Sequence, residues 1–507
     1  MRVGGERTIK AIRYADGKKP PLHESNRNMP VRKVRKELPA EKTLSDWPQT
    51  RSAGQAIIAN TIDSPPIDGF VPWITVTATS KRGEEGDMIA ETHTRITGSP
   101  LTNEPNNFVI GLFDTGASSH VMGNAAGHKL GIFRRGLLTP NLTEVIGVTG
   151  SVYTWVSEPL AIFIDGLDAI EPNSPAEPAN LVLNTSGMVG QSNVSILVGD
   201  TPGPGAPDLP TAIGAPMAVN FSTSIRNDTP LTVNWQGETF TGPKIECYDP
   251  WDWNIPEYST KVPLRLIPGG SIYVSYILDL EAIFDLIFRP GTPSIIAGMA
   301  YQSLFFVSSV DCYNHGKNAI DKDRFMFDTG AQVTVVGERI GARLGLNPGA
   351  PDFIAEVIGV TGEALDVPGF YIEKLEIPTL GEWLSYTNVP VLLLEIASPE
   401  GGTLDGIIGM NLFSEYNMVL HGDYVSPSLE LEPIPQALIG DIAGTGDGVV
   451  DFQDFAVLAR AWGTTAVPQS PNWNDRCDLA PTADPDGRID ELDLVTFAEH
   501  WLDRVNQ

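Results

Sequence analysis

Phe113-Asp114-Thr115-Gly116-Ala117 decides how this chain reads, because Phe327-Asp328-Thr329-Gly330-Ala331 repeats it further along. A lone Asp-Thr-Gly turns up by chance where a strand enters a turn, but here the surroundings repeat too. Leu112-Phe113 and Met326-Phe327 read as buried strand ends, and Gly116 and Gly330 permit a tight turn after each Asp. Val121-Met122-Gly123 matches Val335-Val336-Gly337 at the same spacing, and Leu130-Gly131 matches Leu344-Gly345. Glu144-Val145-Ile146-Gly147-Val148-Thr149-Gly150 then recurs letter for letter as Glu356 to Gly362. The chain is internally duplicated, and the duplication supplies a matched pair of Asp residues. Two carboxylates held about 3 Å apart cannot both ionise readily and share one proton. One member can then take a proton from water while the other gives one to a carbonyl oxygen.

On these motifs, residues 66–425 resemble the aspartic peptidases, and among them the retropepsin-like group. That family also carries an apolar-apolar-Gly segment near the end of each half. Gly406-Ile407-Ile408-Gly409-Met410-Asn411-Leu412-Phe413 fits the second half; Thr211-Ala212-Ile213-Gly214-Ala215-Pro216-Met217 is the best match in the first. Ile295-Ile296-Ala297-Gly298-Met299 competes, but lies much further from its Asp. The resemblance implies a mainly β fold: a bilobal aspartic-peptidase-like β-barrel pseudo-dimer in one chain. It makes Asp114 and Asp328 the catalytic pair, activating a water that attacks a peptide carbonyl with no covalent intermediate, metal or organic cofactor. Thr115 and Thr329 would cross-bond beneath the site, and Gly116 and Gly330 would leave N–H groups to orient the carboxylates. Gly147, Val148, Thr149 and Gly150, with Gly359, Val360, Thr361 and Gly362, would form pliable flap tips over an extended peptide. Structural hairpins without a lid role are the plainer alternative. Ala117 and Ala331 follow the Asp turns as in retropepsins, where pepsin-like enzymes usually carry a hydroxyl. The expected activity optimum is therefore less acidic than theirs.

The 507 residues suffice for two or three domains, and the abundance of Gly (50) and Pro (41) suits an all-β protein with many turns. A net charge of −29 repels phosphates, so nucleic acid is not an expected partner. No apolar run is long enough to span a bilayer. Three cysteines make no disulfide framework, though Cys247 and Cys312 are a candidate pair if the protein is exported.

Five regions are expected: 1–65, a disordered basic leader or pro-segment; 66–228, the first lobe; 229–290, an inter-lobe connection; 291–428, the second lobe; and 429–507, a calcium-binding module. The leader has the basic start of a secretory signal but no apolar core after it. In the connection, Trp251, Trp253, Pro256 and Tyr258 are expected to pack between the lobes, with a substrate-lining surface as the alternative, and Leu278–Phe288 has the composition of a short helix.

The C-terminal region carries its own repeat. Asp447-Gly448-Val449-Val450-Asp451-Phe452-Gln453-Asp454 aligns with Asp486-Gly487-Arg488-Ile489-Asp490-Glu491-Leu492-Asp493, each followed by an apolar helix ending in Trp462 or Trp501. Acidic side chains at alternating positions, a Gly for the sharp turn and a final acid on the helix suit Ca2+. The pair resembles dockerin modules, with their two EF-hand-like loops. The candidate metal ligands are Asp447, Asp451, Asp454, Asp484, Asp486, Asp490 and Asp493. The start of each loop fits less well, and Asp441 and Asp478 supply a further ligand only if the loops carry extra residues. The resemblance implies a cohesin-like docking partner and an extracellular or cell-surface location. A monomer is expected, since the pseudo-dimer is internal. The alternative function is a catalytically inactive, peptidase-shaped surface protein that binds extended peptides. A calcium-dependent structural protein is a third reading, but it leaves the duplication unexplained.

Overall fold

Runs of alternating, β-branched residues become strands through most of the computed structural model. It describes residues 57–80, 108–147, 150–174, 177–184, 187–202, 208–248, 252–268, 303–320, 324–358, 364–397, 403–422, 426–434, 450–467, 470–480 and 486–499. The shorter stretches 9–14, 32–34, 95–96, 294–297, 440, 442–443 and 501 complete the set. The chain divides into two units, Met1–Glu432 and Pro433–Gln507.

The larger unit is mainly β; among the described residues its strands form sheets of 16, 11 and 3. Each Asp-bearing strand sits inside one of the two large sheets. In the 11-stranded sheet, Val109–Asp114 lies between Trp73–Ser80, antiparallel, and Ala212–Gly214, parallel. In the 16-stranded sheet, Phe325–Phe327 lies between Ser303–Val307, antiparallel, and Gly406–Ile408, parallel. The two apolar-apolar-Gly segments are therefore equivalent. Each threads between its Asp strand and a short strand after the turn, Val121–Met122 in one case and Val335–Val336 in the other. The competing segment Ser294–Ala297 pairs instead with Val189–Val194.

After each turn comes a seven-residue helix, Asn124–Leu130 or Glu338–Leu344. Both end on a left-handed glycine, Gly131 at φ 91° and Gly345 at φ 77°, a conformation that other residues adopt only with strain. The duplicated hairpins follow: Leu138–Gly147 with Gly150–Ser157, and Phe353–Ile358 with Ala364–Pro378. Val148, Thr149, Gly359, Val360, Thr361 and Gly362 lie outside the described residues. Three strands fall within residues 1–65. Ile9–Tyr14 pairs with Phe353–Ile358, Arg32–Val34 with Leu138–Gly147, and Ile57–Asp63 with Glu382–Leu393.

The halves are joined by more than the Asp turns. Ser222–Trp235, which runs through Asp228, pairs with Glu238–Tyr248 on one side and with Tyr416–His421 on the other. Thr260–Pro268 bridges Ser428–Pro433 and Ser303–Val307. One continuous core contains Phe113 and Ile213 from the first half with Phe327 and Ile407 from the second. Trp253, expected to pack between lobes, is instead 95% exposed. It sits among Asp252, Asn254 and Pro256 in a turn too polar to be drawn inward. Leu278–Phe288 lies outside the described residues. Cys247, Cys312 and Cys477 are not joined in disulfides, so the candidate Cys247–Cys312 pair is not formed.

In the smaller unit, helices Phe452–Ala461 and Glu491–Glu499 contribute to a core of Ile442, Val450, Leu458, Ala461, Cys477, Ile489 and Phe497. Among the described residues no helix is long and apolar enough to cross a membrane.

Candidate active site

Asp114 and Asp328 are both fully buried, each at the end of a strand whose preceding Phe is anchored in the core. Gly116 N–H donates to Asp114 Oδ1 at 3.0 Å and also to Asp328 Oδ1 at 3.1 Å, so two carboxylates far apart in sequence meet at one amide. Ala117 N–H adds a bond to Asp114 Oδ1 at 3.1 Å, and Gly330 N–H one to Asp328 Oδ1 at 2.8 Å. Backbone donors on the charged form favour a fixed carboxylate orientation.

Both glycines are sterically required. A Cβ on Gly330 would lie 2.6 Å from Asp114 Cγ, and one on Gly116 would collide with the Asp328 carboxylate. Each turn thus presses its backbone on the other's acid, which only a residue without a side chain permits.

The threonines interlock beneath. Thr115 Oγ donates to Phe327 O at 3.1 Å and accepts from Thr329 N–H at 3.0 Å. Thr329 Oγ donates to Phe113 O at 2.6 Å and accepts from Thr115 N–H at 3.1 Å. All four bonds are buried and satisfy groups that would otherwise be costly to desolvate. The sequence-expected pair, its glycines and its threonines are therefore in one place.

Each turn is also tied to its apolar-apolar-Gly segment. Ala215 N–H donates to Ala117 O and Met410 N–H to Ala331 O, both at 2.8 Å. The next tie differs between halves. Gly409 N–H donates to Thr334 Oγ at 3.2 Å, and Asn411 Oδ1 accepts from Thr334 N–H and Oγ–H. In the first half Gly214 N–H donates to His120 Nδ1 at 3.1 Å, and His120 Nε2 lies 2.9 Å from Gln191 Oε1. Burial lowers the His120 pKa to about 4, with the Gln191 bond opposing the shift. Sequence comparison missed His120 and Gln191; the one signal was that His120 stands where the repeat has Thr334.

Residues 312–412 match a family model described as aspartyl protease. This stretch, which contains Asp328 and its threading strand Gly406–Ile408, is similar to an aspartic-protease domain. A comparison with curated proteins gives no match.

The expected metal ligands sit elsewhere. Asp447 and Asp484 lie outside the described residues. Asp454 Oδ1 accepts from Ile442 and Ala443 N–H and its Oδ2 from Asp451 N–H; Asp493 does the same for Leu479, Ala480 and Asp490. Asp451 and Asp490 each cap the next helix through Gln453 or Leu492 N–H. The anchoring bonds thus repeat from loop to loop, with two more residues between the anchor points in the second. Asp486 accepts from Arg488 N–H, and Asp478 Oδ2 from Gly487 N–H. Among the described residues no three acidic, histidine or cysteine side chains converge enough to cage a metal.

Proposed function

We propose that this chain is an aspartic endopeptidase built from two fused, retropepsin-like halves. The carrying observation is the amide of Gly116, which binds both carboxylates within hydrogen-bond distance. Two buried acids so close share a proton. The ionised member takes a proton from water, which attacks the scissile carbonyl; the protonated member gives its proton to the carbonyl oxygen. The tetrahedral intermediate then collapses with proton transfer to the leaving amine. The threonine lattice holds the acids in place, so no reorganisation is needed as charge develops. The substrate is a protein or peptide, held extended under the two hairpins. The internal pseudo-dimer makes a monomer the functional form.

The C-terminal unit serves as a dockerin-like, calcium-stabilised tether to a cohesin-like partner at the cell surface or outside the cell. The second loop supports this best. Asp478 Oδ1 is buried without a hydrogen-bond partner, and the Asp478 pKa is raised by burial and by the charges of Asp493 and Asp486. Negative charge from Asp486 and Asp493 acting on Asp478 is what a hard divalent cation would relieve, once the loop draws these carboxylates together around it. Asp478, Asp484, Asp486, Asp490 and Asp493 would hold Ca2+ there, with Asp447, Asp451 and Asp454 in the first loop. The ion would neutralise the loop and rigidify it.

Cleavage of a mixed peptide library from pH 3 to 7 tests the enzyme, comparing the intact chain, a chain lacking residues 1–56, and Asp328→Asn in each. That truncation keeps Ile57–Asp63, which pairs with Glu382–Leu393. Asp328→Asn is expected to lower cleavage about 10²–10⁴-fold. Absence of cleavage in every form would replace the enzyme with a peptide-binding surface protein.

A further inference from the structure

The two halves secure their Asp turns by different chemistry. In the second half, one hydroxyl bridges the turn and the threading strand: Thr334 Oγ accepts from Gly409 N–H and donates to Asn411 Oδ1. The position equivalent to Asn411 in the first half is Pro216, which has no amide side chain to offer. His120 takes the place of Thr334, fully buried, and receives the Gly214 N–H on Nδ1. Gly214 is in register with Asp114 across parallel strands. A backbone N–H only donates, so Nδ1 must be unprotonated. A neutral imidazole then carries its proton on Nε2, which fixes Gln191 with its carbonyl oxygen toward the ring.

We propose that His120, held in one tautomer by Gln191, is the positioning residue for Asp114. It replaces the Thr-Asn device that positions Asp328. This inference rests on the two-carboxylate reading of the site. Protonating the ring would set an N–H against the Gly214 N–H, and the tie would be lost. The elements bonded to His120 offer it neutral groups: Val189–Val194 brings the Gln191 carboxamide, Ala212–Gly214 the Gly214 amide, and Leu197–Gly199 the Leu197 N–H, which donates to His120 O. Burial is the larger influence on its protonation and the Gln191 bond opposes it, with Asp114 the titratable group on the strand beside Gly214. The first turn therefore loosens as pH falls through about 4, while the second, tied by a hydroxyl, does not.

The experiment has a spectroscopic arm and a kinetic arm. In 15N-labelled full-length protein, an N–H···N bond gives a through-bond coupling between Gly214 N and His120 Nδ1. It is expected at pH 6.5 and expected to vanish below pH 4. In His120→Ala the Ala117 amide, which donates to Asp114, should shift while that of Gly330 stays. In the kinetic arm His120→Ala should lower kcat roughly 10- to 100-fold with KM changed less than about twofold, as for a reacting group displaced by a fraction of an ångström. His120→Thr with Pro216→Asn, copying the second half, should recover most of that kcat and move the acid limb down from pH 4 to the one set by the carboxylate pair alone. Missing coupling, an unmoved Ala117 amide, or a double variant that keeps the wild-type acid limb would overturn the proposal. If the wild-type chain cleaves nothing, the endopeptidase reading fails, and the spectroscopic arm still decides the role of His120.

Discussion

Thr115 and Thr329 show how much one side chain can hold. Each hydroxyl donates to a carbonyl of the other half and accepts an amide from it. Thr329→Val keeps the shape but orphans the Thr115 N–H and the Phe113 carbonyl. It should cost about 1–3 kcal/mol per buried group left unpaired, read as a lower urea midpoint for the larger unit. Gly116→Ala acts differently, by pushing the Asp328 carboxylate away. Cleavage should be lost while the unfolding midpoint moves by only about 1–3 kcal/mol equivalent, the usual cost of overpacking. Ala117 and Ala331 leave the acids without a neighbouring hydroxyl at that position, so the activity optimum should be less acidic than in pepsin-like enzymes. A pH–rate profile that peaks below about pH 3, under the free Asp value, contradicts this. The pair itself was legible in sequence because its neighbours are constrained too: each glycine must clear the opposite carboxylate, so the D-T-G-A letters persist in both copies. His120 was not legible, since a mismatch between copies states that something changed without stating what replaced it.

At the scale of elements, the clearest sequence signals were those with local causes. Glu338–Leu344 carries Ile340 and Leu344 at helical spacing, and the match of Leu130-Gly131 to Leu344-Gly345 falls where both helices end. The threading segments were recognisable because each must be small and apolar to pass between an Asp strand and its neighbour. By contrast, the pairing of Ser222–Trp235 with Tyr416–His421 leaves no local trace. A strand's pattern records which face is buried, not which distant strand lies beside it. The acidic loops behave similarly. Their alternating Asp residues were visible, but the backbone bonds that occupy Asp454 and Asp493 were not. Calcium is expected to raise the calorimetric transition of the smaller unit, by about 2.7 kcal/mol of stability at 100 times the dissociation constant. Asp478→Asn should reduce that gain. An equal transition in calcium and in chelator would sink the calcium reading.

Over the larger unit as a whole, two buried groups set opposing responses to pH. His120 drops from 6.5 to about 4 on folding, so the unfolded chain binds its proton first. Stability from this residue is complete above pH 6.5 and falls with acid by on the order of 3 kcal/mol down to pH 4. Burial raises Asp165 from 3.8 to about 7, with the charges of Asp168 and Glu246 adding to the shift and the Gly166 amide opposing it. Its stabilisation is complete below pH 3.8 and is lost on the order of 4 kcal/mol as pH rises to 7. Between pH 4 and 6.5 the two slopes nearly cancel. Asp165→Asn, which keeps an oxygen for the Gly166 N–H, should unmask the histidine. Relative to wild type, its melting temperature should climb between pH 4 and 6.5. Parallel curves for the two proteins would show that Asp165 does not titrate there.

The Thr115–Thr329 lattice also orders events during synthesis. Its partners are separated by 214 residues, so the first Asp turn leaves the ribosome long before the second exists. At about 5–20 residues per second, the gap is roughly 10–40 s. Throughout that interval the nascent chain holds one carboxylate and half a lattice. The two-acid centre cannot be completed until that interval has passed, by which time the first half has had the opportunity to fold.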